Sequence, residues 1–109
     1  MRRARVLFQE KIAGILSEDE HGFHFQYEEL YLKDEKSLAI SLTLPLTDIP
    51  YESKMLFPFF DGLIPEGWLL NIASTTWKIN KNDRMGLLIA CCENCIGAVS
   101  VLPHKDLII

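Results

Sequence analysis

Phe59-Phe60-Asp61-Gly62-Leu63-Ile64-Pro65-Glu66-Gly67-Trp68-Leu69 divides this chain of 109 residues into two kinds of pattern. Before it, apolar residues recur at every second position; after it, they recur at helical spacing. The run itself is apolar for a stretch broken by two glycines and a proline. Pro65 and Glu66 open a helix, because proline is tolerated at the first helical position and a carboxylate suits the positive end of the dipole. That helix is expected to continue to about Lys78. Large apolar groups around a turn need a surface to receive them, the chain's own or a partner's.

Working back from the run, Ser53 is a good N-cap ahead of Met55, Leu56, Phe59 and Phe60, while Pro58 shortens that helix or delays its start. Upstream, Leu38, Ile40, Leu42 and Leu44 alternate with Ala39, Ser41 and Thr43, which predicts a strand ending at Pro45. Thr47 to Tyr51 is a connector. Glu29 to Ser37 is charged and reads as a loop. Phe23, Phe25 and Tyr27 alternate with polar neighbours as a half-buried strand, and Ser17 to Gly22 is a turn. Ala4–Phe8 and Ile12–Leu16 form an N-terminal hairpin turning at Gln9 and Glu10.

Working forward, Asn82 or Asp83 caps a third helix in which Met85, Leu88, Ile89 and Cys92 share one face. Ile96 to Pro103 closes as a strand, with Gly97 marking a bulge or close approach. Strands, then helices, then a strand predict a single α+β domain over residues 1–109, a mostly antiparallel sheet with about three helices on one side.

Hydrophobic residues make up 49% and charged residues 24%, the balance of a folded domain. The formal net charge of −4 and pI of about 5.3 argue against direct nucleic-acid binding, and Arg2, Arg3 and Arg5 are too few to reverse that. Gln9, Glu10 and Lys11 interrupt any signal-peptide core, and no stretch reaches the roughly 20 apolar residues of a membrane span. A soluble, cytoplasmic protein without membrane contact is expected.

Little in the chain suggests catalysis. The three cysteines Cys91, Cys92 and Cys95 fall within one short stretch, an odd number for a disulfide framework. They read first as packing thiols. Redox use of Cys92-Glu93-Asn94-Cys95 stays open, and a metal site lacks a second ligand pair. The glycines form no phosphate-cradling loop, and no cofactor pattern is present. His104-Lys105-Asp106 mimics part of a kinase catalytic loop, but the metal-binding Asn expected five residues beyond the Asp would lie past Ile109. His21 and His24 read as surface residues. The expectation is a non-enzyme that acts by binding, with no catalytic, cofactor or metal residues.

On a helical wheel, Trp68, Leu69, Leu70, Ile72, Ala73 and Trp77 span an apolar arc of about 200 degrees. Leu69 lies near its middle and Trp68 at its edge. Trp68 is therefore either a rim residue of the core or an anchor for a partner, a role that tryptophan fills more often than other residue types.

The N-terminal hairpin with Gly14, the Leu38–Leu46 stretch, the Phe59–Leu69 run and Cys95-Ile96-Gly97-Ala98-Val99-Ser100-Val101-Leu102-Pro103 together resemble the N-terminal subdomain of the HipA family of bacterial serine/threonine kinase toxins. They cover nearly the whole chain in the family's order. In a HipA kinase this subdomain precedes a kinase core. A separate subdomain resembles the HipS-like small subunits of three-part HipBST toxin–antitoxin systems. That resemblance implies an antitoxin that binds back to a shortened HipT/HipA-like kinase and neutralises it, while a HipB-like helix-turn-helix protein binds DNA. A separated subdomain would keep the apolar face that packs on the kinase, an interface of about 1,200–2,000 Å², and the partner contact is expected at Asp61, Ile64, Pro65, Glu66, Gly67 and Trp68, with Trp68 as the anchor. The alternatives are a docking subunit that does not inhibit, the isolated N-terminal piece of a full HipA kinase, and a small thiol enzyme using Cys92 and Cys95.

Overall fold

Alternating residues of the hairpin and of Phe23–Tyr27 meet on one face of a sheet in the computed structural model, which describes residues 2–64, 82–91 and 99–103. The elements are β1 (Arg2–Phe8), β2 (Lys11–Asp19), β3 (Gly22–Tyr27), α1 (Glu29–Lys33), β4 (Tyr51–Ser53), α2 (Pro58–Asp61), α3 (Arg84–Cys91) and β5 (Val99–Pro103). The five strands lie in the order β4-β3-β2-β1-β5, and every neighbouring pair is antiparallel. Among the described residues, three helices complete the α+β domain. The helix expected from Pro65 to Lys78 lies outside the described residues, as do Trp68, Leu69, Trp77, Cys92, Cys95, Gly97 and His104 to Asp106.

Register puts Ala4 opposite Leu16 and Leu16 opposite Phe25, while Val101 pairs with Val6 and Val6 with Gly14. These side chains form the sheet's half of the core. Phe60, Ile64, Met85, Leu87 and Leu88 supply the other half. The Phe25 and Phe60 rings meet with centroids 5.5 Å apart, and Phe25 meets Tyr27 edge-on at 4.9 Å. Ring pairs in these arrangements add to the burial of their area. Gly14 is dictated by crowding, because a Cβ there would lie 2.5 Å from the Gln26 carbonyl oxygen and 2.9 Å from the Phe25 ring.

The turn joining β1 and β2 has both Gln9 and Glu10 at positive φ, the backbone of a two-residue hairpin loop that follows the strands' own twist. Between Val6 and Leu7 the register slips, leaving Ala13 as an extra residue. The Ala13 carbonyl accepts the Glu28 N–H at 2.8 Å, so the bulge anchors the entry to α1.

Several sequence expectations need correction. Ser17 to Gly22 is not all turn, since Ser17 to Asp19 continue β2, and Ser53 ends β4 instead of capping a helix, the N-cap of α2 being Phe57. Glu29–Ser37 is not all loop. Glu29–Lys33 forms a short helix with Glu29 and Lys33 paired at 3.0 Å, each at the end of the dipole that suits its sign. Its charge pattern is the solvent side of a turn whose inner residue, Tyr31, is buried.

The larger correction is the stretch from Leu38 to Leu44, which belongs to no strand and holds only an isolated bridge between Ser41 and Leu44. Ile40 and Leu44 are buried, but Leu38 and Leu42 face solvent. Tyrosine hydroxyls supply what a neighbouring strand would have supplied. Tyr27 accepts the Ile40 N–H at 3.1 Å and donates to the Leu44 carbonyl. Tyr31 donates to the Leu38 carbonyl at 2.6 Å, and Tyr51 to the Pro45 carbonyl at 2.7 Å. The segment is thus hydrogen-bonded to side chains rather than to a ladder.

Later expectations fare better. Pro58 does delay the helix after Ser53, and it occupies the first position of α2. Asp83 is the cap of α3: its Oδ1 accepts the Gly86 N–H at 3.2 Å.

Candidate functional site

Asp61 and Ile64 are the two predicted contact residues that the structure describes. Phe57 and Phe60 are buried around α2, and the chain then tightens, with the Leu63 N–H donating to Phe60 at 3.0 Å and the Ile64 N–H to Asp61 at 3.2 Å. Ile64 is only 2% exposed, so its side chain serves the domain's own core. Asp61 accepts Arg84 Nε through Oδ1 at 2.7 Å, tying α2 to the start of α3. The chain therefore enters Pro65 from an anchored base. Pro65, Glu66, Gly67 and Trp68 lie outside the described residues. Gly62 has φ of −68°, an ordinary helical value, so this turn does not demand glycine for its backbone angle.

Beside the Asp61–Arg84 pair, a groove of about 600 Å³ opens between the end of the sheet and the two helices, with Phe23, Met55, Pro58 and Asp83 among its walls. Two of its lining residues, Asp83 and Glu18, are joined by Arg2, whose guanidinium holds both Asp83 oxygens at 2.7 and 2.8 Å and also binds Glu18. This fork joins the sheet to the start of α3. The hydrogen bonds from Arg2 hold the Asp83 carboxyl below the usual carboxylate range, and the Gly86 N–H acts in the same direction. Asp83 is thus held by Arg2, while Asp61 and Arg84 hold one another.

His21 is exposed as expected for a surface residue, whereas His24 is half-buried and sits 3.1 Å from Asp19. Among the described residues, no helix is long and apolar enough to cross a membrane.

Sequence reasoning missed Arg84, since nothing local couples it to a carboxylate 23 positions away. It also missed the exposure of Leu42, although the absence of any charged residue from Ser37 to Thr47 was a visible signal.

The fold has known counterparts. The family described as the HipA N-terminal domain matches residues 4–102. The structure described as the N-terminal domain of HipA toxin superimposes with a TM-score of 0.74 at 30% identity, covering 98% of this chain and 96% of that one. An uncharacterized protein of Haemophilus influenzae is 34% identical over 97% of this chain and 96% of its own length. A protein of Sinorhizobium fredii, Y4mE, whose given name is that of a kinase, is 30% identical over 97% of this chain. The match spans only 26% of that longer protein. Sheet order, helix placement and sequence agree: the chain belongs to the HipA N-terminal domain family.

Proposed function

We propose that this chain is an antitoxin of HipBST type, a cytoplasmic subunit that binds a HipT/HipA-like serine/threonine kinase and silences it by contact. The carrying observation is the contrast between its relatives. The domain makes up almost the whole of the Haemophilus influenzae protein but about a quarter of the kinase-named Y4mE. A face that meets kinase core within one polypeptide can meet the same kind of core across two chains. Inhibition then needs no chemistry on this chain, only occupation or distortion of the kinase cleft. In this arrangement a HipB-like helix-turn-helix protein makes the DNA contact.

The contact is assigned to the Asp61–Trp68 segment. Ile64 and the Asp61–Arg84 pair hold its base, while Pro65, Glu66 and Gly67 lead to Trp68 as the anchor. Co-expression with a HipA-type kinase tests the reading. The wild-type chain restores growth, and Trp68→Ala weakens binding by about 2–4 kcal/mol, or roughly 30- to 700-fold, if the tryptophan fills a partner pocket. A Trp68→Ala chain that folds normally and silences the kinase at full strength removes Trp68 from the mechanism. A wild-type chain that binds without restoring growth is a docking subunit instead.

A further inference from the structure

Leu42 stands at the tip of a turn whose backbone is fixed on every side. The Leu44 N–H donates to the Ser41 carbonyl at 3.1 Å, closing the turn. Ser41 Oγ accepts the Thr43 N–H at 3.2 Å and lies 2.9 Å from Thr43 Oγ1. Ile40 and Leu44, on either side of the tip, are buried and share the hydroxyl of Tyr27. Tyr31 and Tyr51 hold the flanks at Leu38 and Pro45.

This framework presents apolar side chains to water. Leu42 is 98% exposed, Leu38 60% and Ile49 69%. From Ser37 to Thr47 there is no charged residue. One exposed leucine is ordinary on a protein surface, but Leu38, Leu42, Leu46 and Ile49 are all exposed within one short segment, more apolar surface than a connector needs. A turn already ordered loses little conformational freedom when it docks, so its exposed leucine is suited to binding.

We propose that the Leu42 turn is a second docking element, which inserts Leu42 into an apolar pocket on the body of the partner kinase. This rests on the kinase partnership proposed above. Y4mE supplies the argument for the occupant: about three quarters of that protein lies outside the matched domain, so a domain of this kind has a large neighbour in the same polypeptide. A chargeless, leucine-tipped turn fits an apolar surface on such a neighbour better than it fits a charged partner.

The test compares the full wild-type chain with Leu42→Asp and Leu42→Met. Binding to a purified HipA-type kinase is measured by calorimetry, thermal unfolding by circular dichroism and mass by light scattering. Because Leu42 touches almost nothing within the domain, all three forms are expected to unfold at the same temperature. Leu42→Asp is expected to bind the kinase at least tenfold more weakly, and Leu42→Met within threefold of wild type. A Leu42→Asp chain that binds within threefold of wild type overturns the proposal while leaving the kinase partnership standing. A wild-type dimer that Leu42→Asp converts to monomer, with kinase affinity unmoved, also overturns it and assigns the turn to a second copy of the chain. A wild-type chain that does not bind the kinase at all ends both readings.

Discussion

The Tyr27 hydroxyl sits between the Ile40 amide and the Leu44 carbonyl, and its ring stacks on Tyr31 with centroids 6.0 Å apart. Burial raises its pKa, so the phenol keeps its proton and remains able to donate to Leu44. Tyr27→Phe preserves the ring but leaves two backbone groups without a partner. It is expected to cost about 1–3 kcal/mol in urea unfolding, the penalty for buried groups that lose their hydrogen bond. Gly14 is a second residue with a role out of proportion to its size. Gly14→Ala would drive a methyl into the Gln26 carbonyl oxygen, which belongs to the neighbouring strand's backbone and cannot rotate away. About 2 kcal/mol or more of stability should be lost, seen as a lower urea midpoint with an unchanged slope. The glycine was visible in the sequence; the ring and carbonyl that require it were not, because they lie on another strand.

Among the elements, β1, β2 and β3 were legible because local alternation and sheet pairing point the same way there. The stretch from Leu38 to Leu44 has equally clear alternation and is not a strand. Its backbone partners are hydroxyls of Tyr27, Tyr31 and Tyr51, a decision made by tertiary contacts that local pattern cannot register. Helix α1 was hidden for the opposite reason, since five residues with one buried side chain give too short a period to read. The link between β1 and α3 was also beyond local reading, because Arg2 and Asp83 are 81 positions apart. That link makes a pH prediction. Asp83 has a lowered carboxyl pKa in the folded chain, so its contribution is full above the unfolded value of about 3.9 and disappears as pH falls through the folded one. Asp83→Asn keeps an N-capping side chain but removes the charge and one of the two oxygens that accept from Arg2. For this partly exposed pair the loss should be about 0.5–1 kcal/mol at pH 7, and the gap between the two proteins should narrow as pH falls below the unfolded carboxylate value of about 3.9.

For the whole molecule, the anchored base at Asp61 and Ile64 and the clamped turn at Leu42 serve one purpose in this account: the domain is a rigid platform for a kinase. The most direct measurement titrates the purified chain against a purified HipA-type kinase and follows phosphoryl transfer. The account predicts that kinase activity falls to background at one equivalent of wild-type chain, and that Trp68→Ala needs a large excess for the same effect. Kinase activity that stays at its starting level in the presence of saturating, folded wild-type chain would contradict it.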